Sequence, residues 1–148
     1  MRRIDALLNE YGESHQNPTN KTVHWICVPL IFWSIVALLF SIPLASENWW
    51  MNVALFTLVL VLVYYIRLSV ILAIGMALFA SVCLVICYAM EQAGLPVAWI
   101  ALGVFVAAWI GQFWGHKVEG KKPSFLKDIQ FLLIGPAWLM SFLLKGKY

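Results

Sequence analysis

The chain has 148 residues, of which 63% are hydrophobic and 11% charged, with three histidines, three cysteines and a net charge of +3. Soluble domains are nearer a quarter charged and half apolar, so this composition excludes an ordinary soluble enzyme and points to an integral membrane protein. The small positive charge gives no argument for nucleic acid, and basic residues beside apolar runs serve more often as topology signals.

In chain order, residues 4–11 place Ile4, Leu7, Leu8 and Tyr11 at helical spacing. This predicts a short amphipathic helix on the membrane surface or against the bundle. Residues 1–20 do not read as a signal peptide, because they lead into a full-length apolar run without a small-residue cleavage site. Residues 14–24, SHQNPTNKTVH, hold two of the three histidines. Asn17 before Pro18 reads as an N-cap with proline at the first helical position. A helix from there puts Asn17, Asn20 and His24 on one face.

A spanning helix needs roughly 20 mainly apolar residues, and four runs qualify, at about 23–43, 49–66, 70–90 and 97–115. Pro29 is a candidate kink in the first, since it removes a backbone donor. Trp49, Trp50, Tyr64 and Tyr65 flank the second as an interfacial belt. The third is rich in Ala, Gly, Ser and Cys, which permits close helix contacts, and the link at Arg67 forces a tight hairpin. A last apolar helix, about 129–144, contains Gly135-Pro136 and is marginal for spanning, so a re-entrant segment and a fifth span both stand. The expected architecture is an all-α membrane bundle of four transmembrane helices, with an N-terminal amphipathic helix and a short C-terminal apolar helix, forming one domain over 1–148.

With the N-terminus cytoplasmic, Arg2, Arg3, Lys21, Arg67, Lys117, Lys121, Lys122 and Lys127 fall inside. The outer loops, 44–48 and 91–96, carry only Glu47 and Glu91. That asymmetry obeys the positive-inside rule and brings His15, His24 and His116 to one membrane face. Gln112, His116 and Glu119 recur at helical spacing, and Gly115 beside them allows a second backbone to approach.

Three imidazoles at the mouth of a bundle suit Fe(II), Zn(II), Mn(II) or Cu(II), with positions left for substrate and O2 or water. Glu119 is then a fourth ligand, a base or an outer partner, and Asn17, Asn20 and Gln112 are candidate substrate contacts. The residues taken singly also fit plainer roles: interfacial histidines, a capping Asn17, and lysines that set topology or meet anionic lipid. The buried-type cysteines suggest no disulfide framework. Three histidines cannot supply the many-histidine set of two-iron membrane desaturases. No HExxH, phosphate loop or GxSxG elbow is present, and the spans lack the mid-depth charges of a proton-coupled transporter.

The motifs HxNPxNKxxHxxxVP and QxxGHKxEGKKP resemble the 2-hydroxy fatty acid dioxygenase family, associated with fatty acid α-oxidation and phytosphingosine degradation, over nearly the whole chain. The resemblance implies an Fe(II) enzyme that converts a 2-hydroxy fatty acid and O2 to a fatty acid one carbon shorter and CO2. It implies His15, His24 and His116 as the essential histidines. Lys117, Lys121 and Lys122 are then candidates to attract the substrate carboxylate. Cys27 and Ser124 depart from the residues expected there (a small residue such as Gly, and Ala), at positions where packing rather than ligation is at stake. The rival expectations are a zinc lipid hydrolase with Glu119 as base, and a non-catalytic lipid-binding scaffold. The expected setting is a bacterial inner membrane, or the endoplasmic reticulum in a eukaryote, with the metal site at the cytoplasmic face. Nothing in the sequence indicates an oligomer.

Overall fold

A computed structural model describes residues 2–44 and 51–148. Among these the chain forms six α-helices: α1 (Arg3–Gly12), α2 (Pro18–Phe40), α3 (Val53–Leu68), α4 (Val70–Gln92), α5 (Val97–Glu119) and α6 (Phe131–Leu143), with a 3-10 turn at Ser124–Leu126 before α6. Trp49, Trp50 and most of the expected first outer loop lie outside the described residues.

Helices α2, α4 and α5 have 23 residues each and are long and apolar enough to cross a membrane. At 1.5 Å per residue each extends about 34 Å, beyond the roughly 30 Å hydrocarbon core. The second expected span is shorter, 16 residues in α3, and α6 has only 13. The described chain therefore has three helices of full spanning length where four were expected. Outward side chains such as Trp99, Leu78, Val85 and Ile110 are apolar and exposed, as expected of a surface whose solvent is lipid.

The helix ends follow local chemistry. Asn17 caps α2, its side-chain oxygen accepting from Thr19 N at 2.9 Å and Asn20 N at 3.4 Å. This satisfies donors that the helix leaves free. Ser69 forms the tight α3–α4 hairpin alone: its N–H donates to Tyr65 O at 2.8 Å, and its hydroxyl accepts from Leu72 N at 3.2 Å. The last polar turns extend α5 to Glu119, past the apolar boundary near 115, because hydropathy marks the membrane edge and not the end of hydrogen bonding. Helix α2 runs unbroken through Pro29.

Two packing relations position the site. Helices α2 and α5 lie side by side, with Gly111 and Gly115 at the crossing. A Cβ on Gly111 would come within 2.8 Å of Cys27 Sγ, and one on Gly115 within 2.6 Å of Asn20 Oδ1. Only glycine lets these backbones approach so closely. Helix α1 is held in the bundle, with Ile4, Leu7, Leu8 and Tyr11 buried in a cluster shared with Phe131, Ile134 and Trp138 of α6. That packing selects the bundle over the membrane surface for its apolar stripe.

Candidate metal centre

His24 lies two turns into α2, His116 lies one turn before the end of α5, and the antiparallel packing puts both at one end of the bundle. His15 comes from the loop between α1 and α2. All three are buried: His15 and His24 are fully inaccessible and His116 is 3% exposed. The His15 ring centre is 4.6 Å from that of His24 and 4.7 Å from that of His116, both edge-on. With ligand nitrogens about 2.1 Å from an ion, two imidazoles sharing it have ring centres roughly 4.5–5.2 Å apart. The observed separations match.

His15 is oriented as a ligand imidazole needs to be. Its Nδ1 is 2.8 Å from the Tyr11 carbonyl, so the proton sits there and the Nε2 lone pair is free. A backbone carbonyl on the far nitrogen is the usual device for fixing a ligand tautomer. Ser14 Oγ stands 3.1 Å from the same nitrogen and 2.6 Å from Ser124 Oγ, which ties the loop to the segment after α5.

Among the described residues, His15 Nε2, His116 Nδ1, Asn20 Oδ1 and Gln112 Oε1 are buried without a hydrogen-bond partner at bonding distance, although the Lys121 backbone faces the His116 ring. Each such group costs about 1–3 kcal/mol if it stays unmatched. A cluster of them around three imidazoles fits a cation that takes up the lone pairs. As placed, no group of three His, Cys, Asp or Glu donors among the described residues is closed enough to hold an ion. The Tyr11 hydroxyl lies 3.3 Å from both His24 nitrogens, and Gln112 Nε2 lies 3.2 Å from His24 Nδ1 and 3.4 Å from His116 Nε2. By donor chemistry three imidazoles fit a divalent metal, and Tyr11 and Gln112 contact two of them.

Burial pushes the His15 imidazole down to about 4 from 6.5, helped by the neighbouring His116 and opposed by the Tyr11 carbonyl and Glu119. It is therefore neutral at pH 7, the form that binds metal. Burial likewise raises the Tyr11 phenol, which stays protonated. Because the folded value lies below the unfolded one, the unfolded chain takes up the proton first as pH falls. The stability contributed by neutral His15 is complete above about pH 6.5 and is lost progressively toward pH 4, by up to about 3 kcal/mol. Thermal unfolding of metal-free protein in detergent should show this loss between pH 7 and 4.5, and His15→Phe should flatten it.

The other expected residues divide. Gln112 and Asn20 reach the cluster. Asn20 Nδ2 donates to Ser14 O at 3.0 Å, so it also braces the histidine loop. Asn17 is occupied as the cap. Glu119 faces the loop: its carboxylate accepts from the backbone N–H groups of Gln16 and Asn17, the latter at 2.8 Å. Glu119→Gln should therefore loosen the loop and lower stability by about 1–2 kcal/mol, measurable by denaturant unfolding. Lys117, Lys121 and Lys122 are exposed at the same end, and Lys121 donates to Glu13 O at 3.1 Å.

Sequence reasoning missed three neighbours. Tyr11, taken only as part of an apolar stripe, stacks on His15 at 4.3 Å between ring centres. Trp138 lies 5.2 Å from both His15 and His24. Gly135 makes room for the Tyr11 hydroxyl, which a Cβ there would meet at 2.9 Å. The available signal was Gly135-Pro136, small and kink-prone residues in a helix too short to span.

A cavity of about 290 Å³ with almost wholly apolar walls reaches this cluster, bounded at the polar end by Tyr11, Gln112, His116 and Ser124. The sequence matches, over residues 1–147, the family described as 2-hydroxy-palmitic acid dioxygenase Mpo1-like, and the chain belongs to that family. No curated protein and no solved structure gives a significant match.

Proposed function

We propose that this member of the Mpo1-like dioxygenase family is an Fe(II)-dependent membrane enzyme that removes one carbon from 2-hydroxy fatty acids. The reaction is R–CHOH–COOH + O2 → R–COOH + CO2 + H2O. The substrate gives up four electrons and O2 accepts four, so no second reductant such as 2-oxoglutarate is required. The observation that carries this reading is the buried trio of His15, His24 and His116, two of them with an unpartnered nitrogen, of which His116 borders the polar end of an apolar cavity.

His15, His24 and His116 would hold the ion, and iron(II) bound there supplies a redox-active centre with positions for O2 and for the hydroxyl and carboxylate of the substrate. The Tyr11 carbonyl keeps the His15 proton on Nδ1. The Tyr11 hydroxyl and the Gln112 amide, next to His24 and His116, would hydrogen-bond the polar head of the substrate. Trp138 and Phe131 pack against Tyr11 and keep water from that side. The cavity receives the acyl chain. Lys117, Lys121 and Lys122 at the same end supply positive charge that draws a carboxylate toward the mouth, at the cytoplasmic face given the Lys/Arg asymmetry. A zinc hydrolase reading would need Glu119 as base, and its oxygens are engaged by the Gln16 and Asn17 N–H groups.

The test is oxygen uptake by purified protein loaded anaerobically with Fe(II). The expected result, on adding 2-hydroxypalmitate, is one CO2 per O2 consumed and a fifteen-carbon acid as product. Product release that is independent of O2 and supported by zinc would overturn the proposal.

A further inference from the structure

The cavity has a direction. Helices α3, α5 and α6 all pack against α2 and leave a channel over it. On α2 the channel follows one face, from Val28 through Phe32 and Ile35 to Leu39, at three- and four-residue spacing. Its wall on α2, from Val28 to Leu39, covers about 16 Å of helix, with Gln112 and His116 at the polar end. The far end belongs equally to α3: Val53 N donates to Ile42 O at 3.0 Å, which sets the start of α3 beside the end of α2, and Ala54 and Leu58 line the channel there. Ile35, midway along, lines the channel and is 38% exposed.

From this geometry we infer that Leu39 and Ala54 gauge acyl-chain length. The inference rests on the dioxygenase reading for the identity of the head group. An extended chain rises about 1.25 Å per carbon, so about 16 Å takes the roughly thirteen tail carbons that a sixteen-carbon 2-hydroxy acid extends beyond its head group. Ala54 is the position that matters: it is fully buried, has the smallest side chain at that end, and borders the void. A larger residue there shortens the channel from its floor, and a smaller one at Leu39 lengthens it.

The test pairs two variants of opposite sign with a readout that does not need turnover. Ala54→Phe should lower binding of a sixteen-carbon relative to a ten-carbon 2-hydroxy acid by about tenfold or more, since one methylene of misfit in an apolar pocket already discriminates at about that level. Leu39→Ala should move the preference toward longer chains. Metal-free wild-type protein photolabelled with a sixteen-carbon 2-hydroxy acid carrying a terminal diazirine should be modified near Leu39 and Ala54. Labelling confined to the outer face, for instance at Val85, or a length profile unchanged in Leu39→Ala, overturns the gauge even if the enzyme turns over. Labelling at Leu39 and Ala54 in a protein that, loaded with iron, consumes no oxygen upholds the gauge and overturns the dioxygenase reading instead.

Discussion

Alanine at His15, His24 or His116 should each strip the protein of stoichiometric iron and cut oxygen uptake by well over the roughly 10–100-fold that losing an outer partner of a metal ligand costs. The three are not interchangeable with their polar neighbours. His15 Nε2 and His116 Nδ1 have no hydrogen-bond partner at bonding distance among the described residues, so two of the rings are buried with a nitrogen unmatched. Gln112→Ala removes an amide that touches two of the rings and should produce the milder loss. Iron content by mass spectrometry and oxygen uptake, each on protein that remains monodisperse and helical, separate the two levels. Equal, small effects at all four positions would mean that the histidines are packing residues.

The second large effect concerns a residue with no chemistry. Gly115→Leu should destabilise the protein by about 1–3 kcal/mol, the usual cost of forcing extra atoms into a packed interface, and should also lower iron loading. The coupling is geometric. A Cβ at 115 would come within 2.6 Å of Asn20 Oδ1 and 3.2 Å of Val23 Cγ1. Asn20 is bonded to Ser14 O, so displacing it shifts the loop that presents His15. Gly103, on the same helix with nothing within 4 Å of its Cβ position, provides the control: Gly103→Leu should leave unfolding and iron content close to wild type. Denaturant unfolding with parallel metal analysis checks both. A Gly115 variant that is destabilised yet loads iron normally would uncouple the interface from the site.

Much of this arrangement is legible in the sequence because it is local or set by charge. Asn17-Pro18 specifies the start of α2, and Ser69 turns the chain within one residue because its neighbours on both sides are helical. The Lys/Arg asymmetry brings His116 to the end of the bundle that holds His15 and His24, and Gly115 announces the close approach of two helices. What is not legible depends on contacts between distant segments. An apolar stripe on α1 looks the same whether it faces lipid or protein, so Tyr11 gave no sign that it would lie against two histidines. Trp138 has the composition of a belt residue, and only the docking of α6 on α1 turns it inward. Glu119 shares a helical face with His116, yet the loop N–H groups at Gln16 and Asn17 capture its carboxylate. Hydrogen-bonding demand from a loop outweighs helical spacing in deciding where that side chain points.

The central claim is that three histidines from the first loop, α2 and α5 hold one metal ion. X-ray absorption on protein loaded with one Fe(II) tests it most directly. The expected spectrum has nitrogen scatterers at about 2.1 Å, with the outer-ring scattering of about three imidazoles, and loses one imidazole in His116→Ala. An iron environment of oxygen ligands alone, unchanged by that substitution, would contradict it.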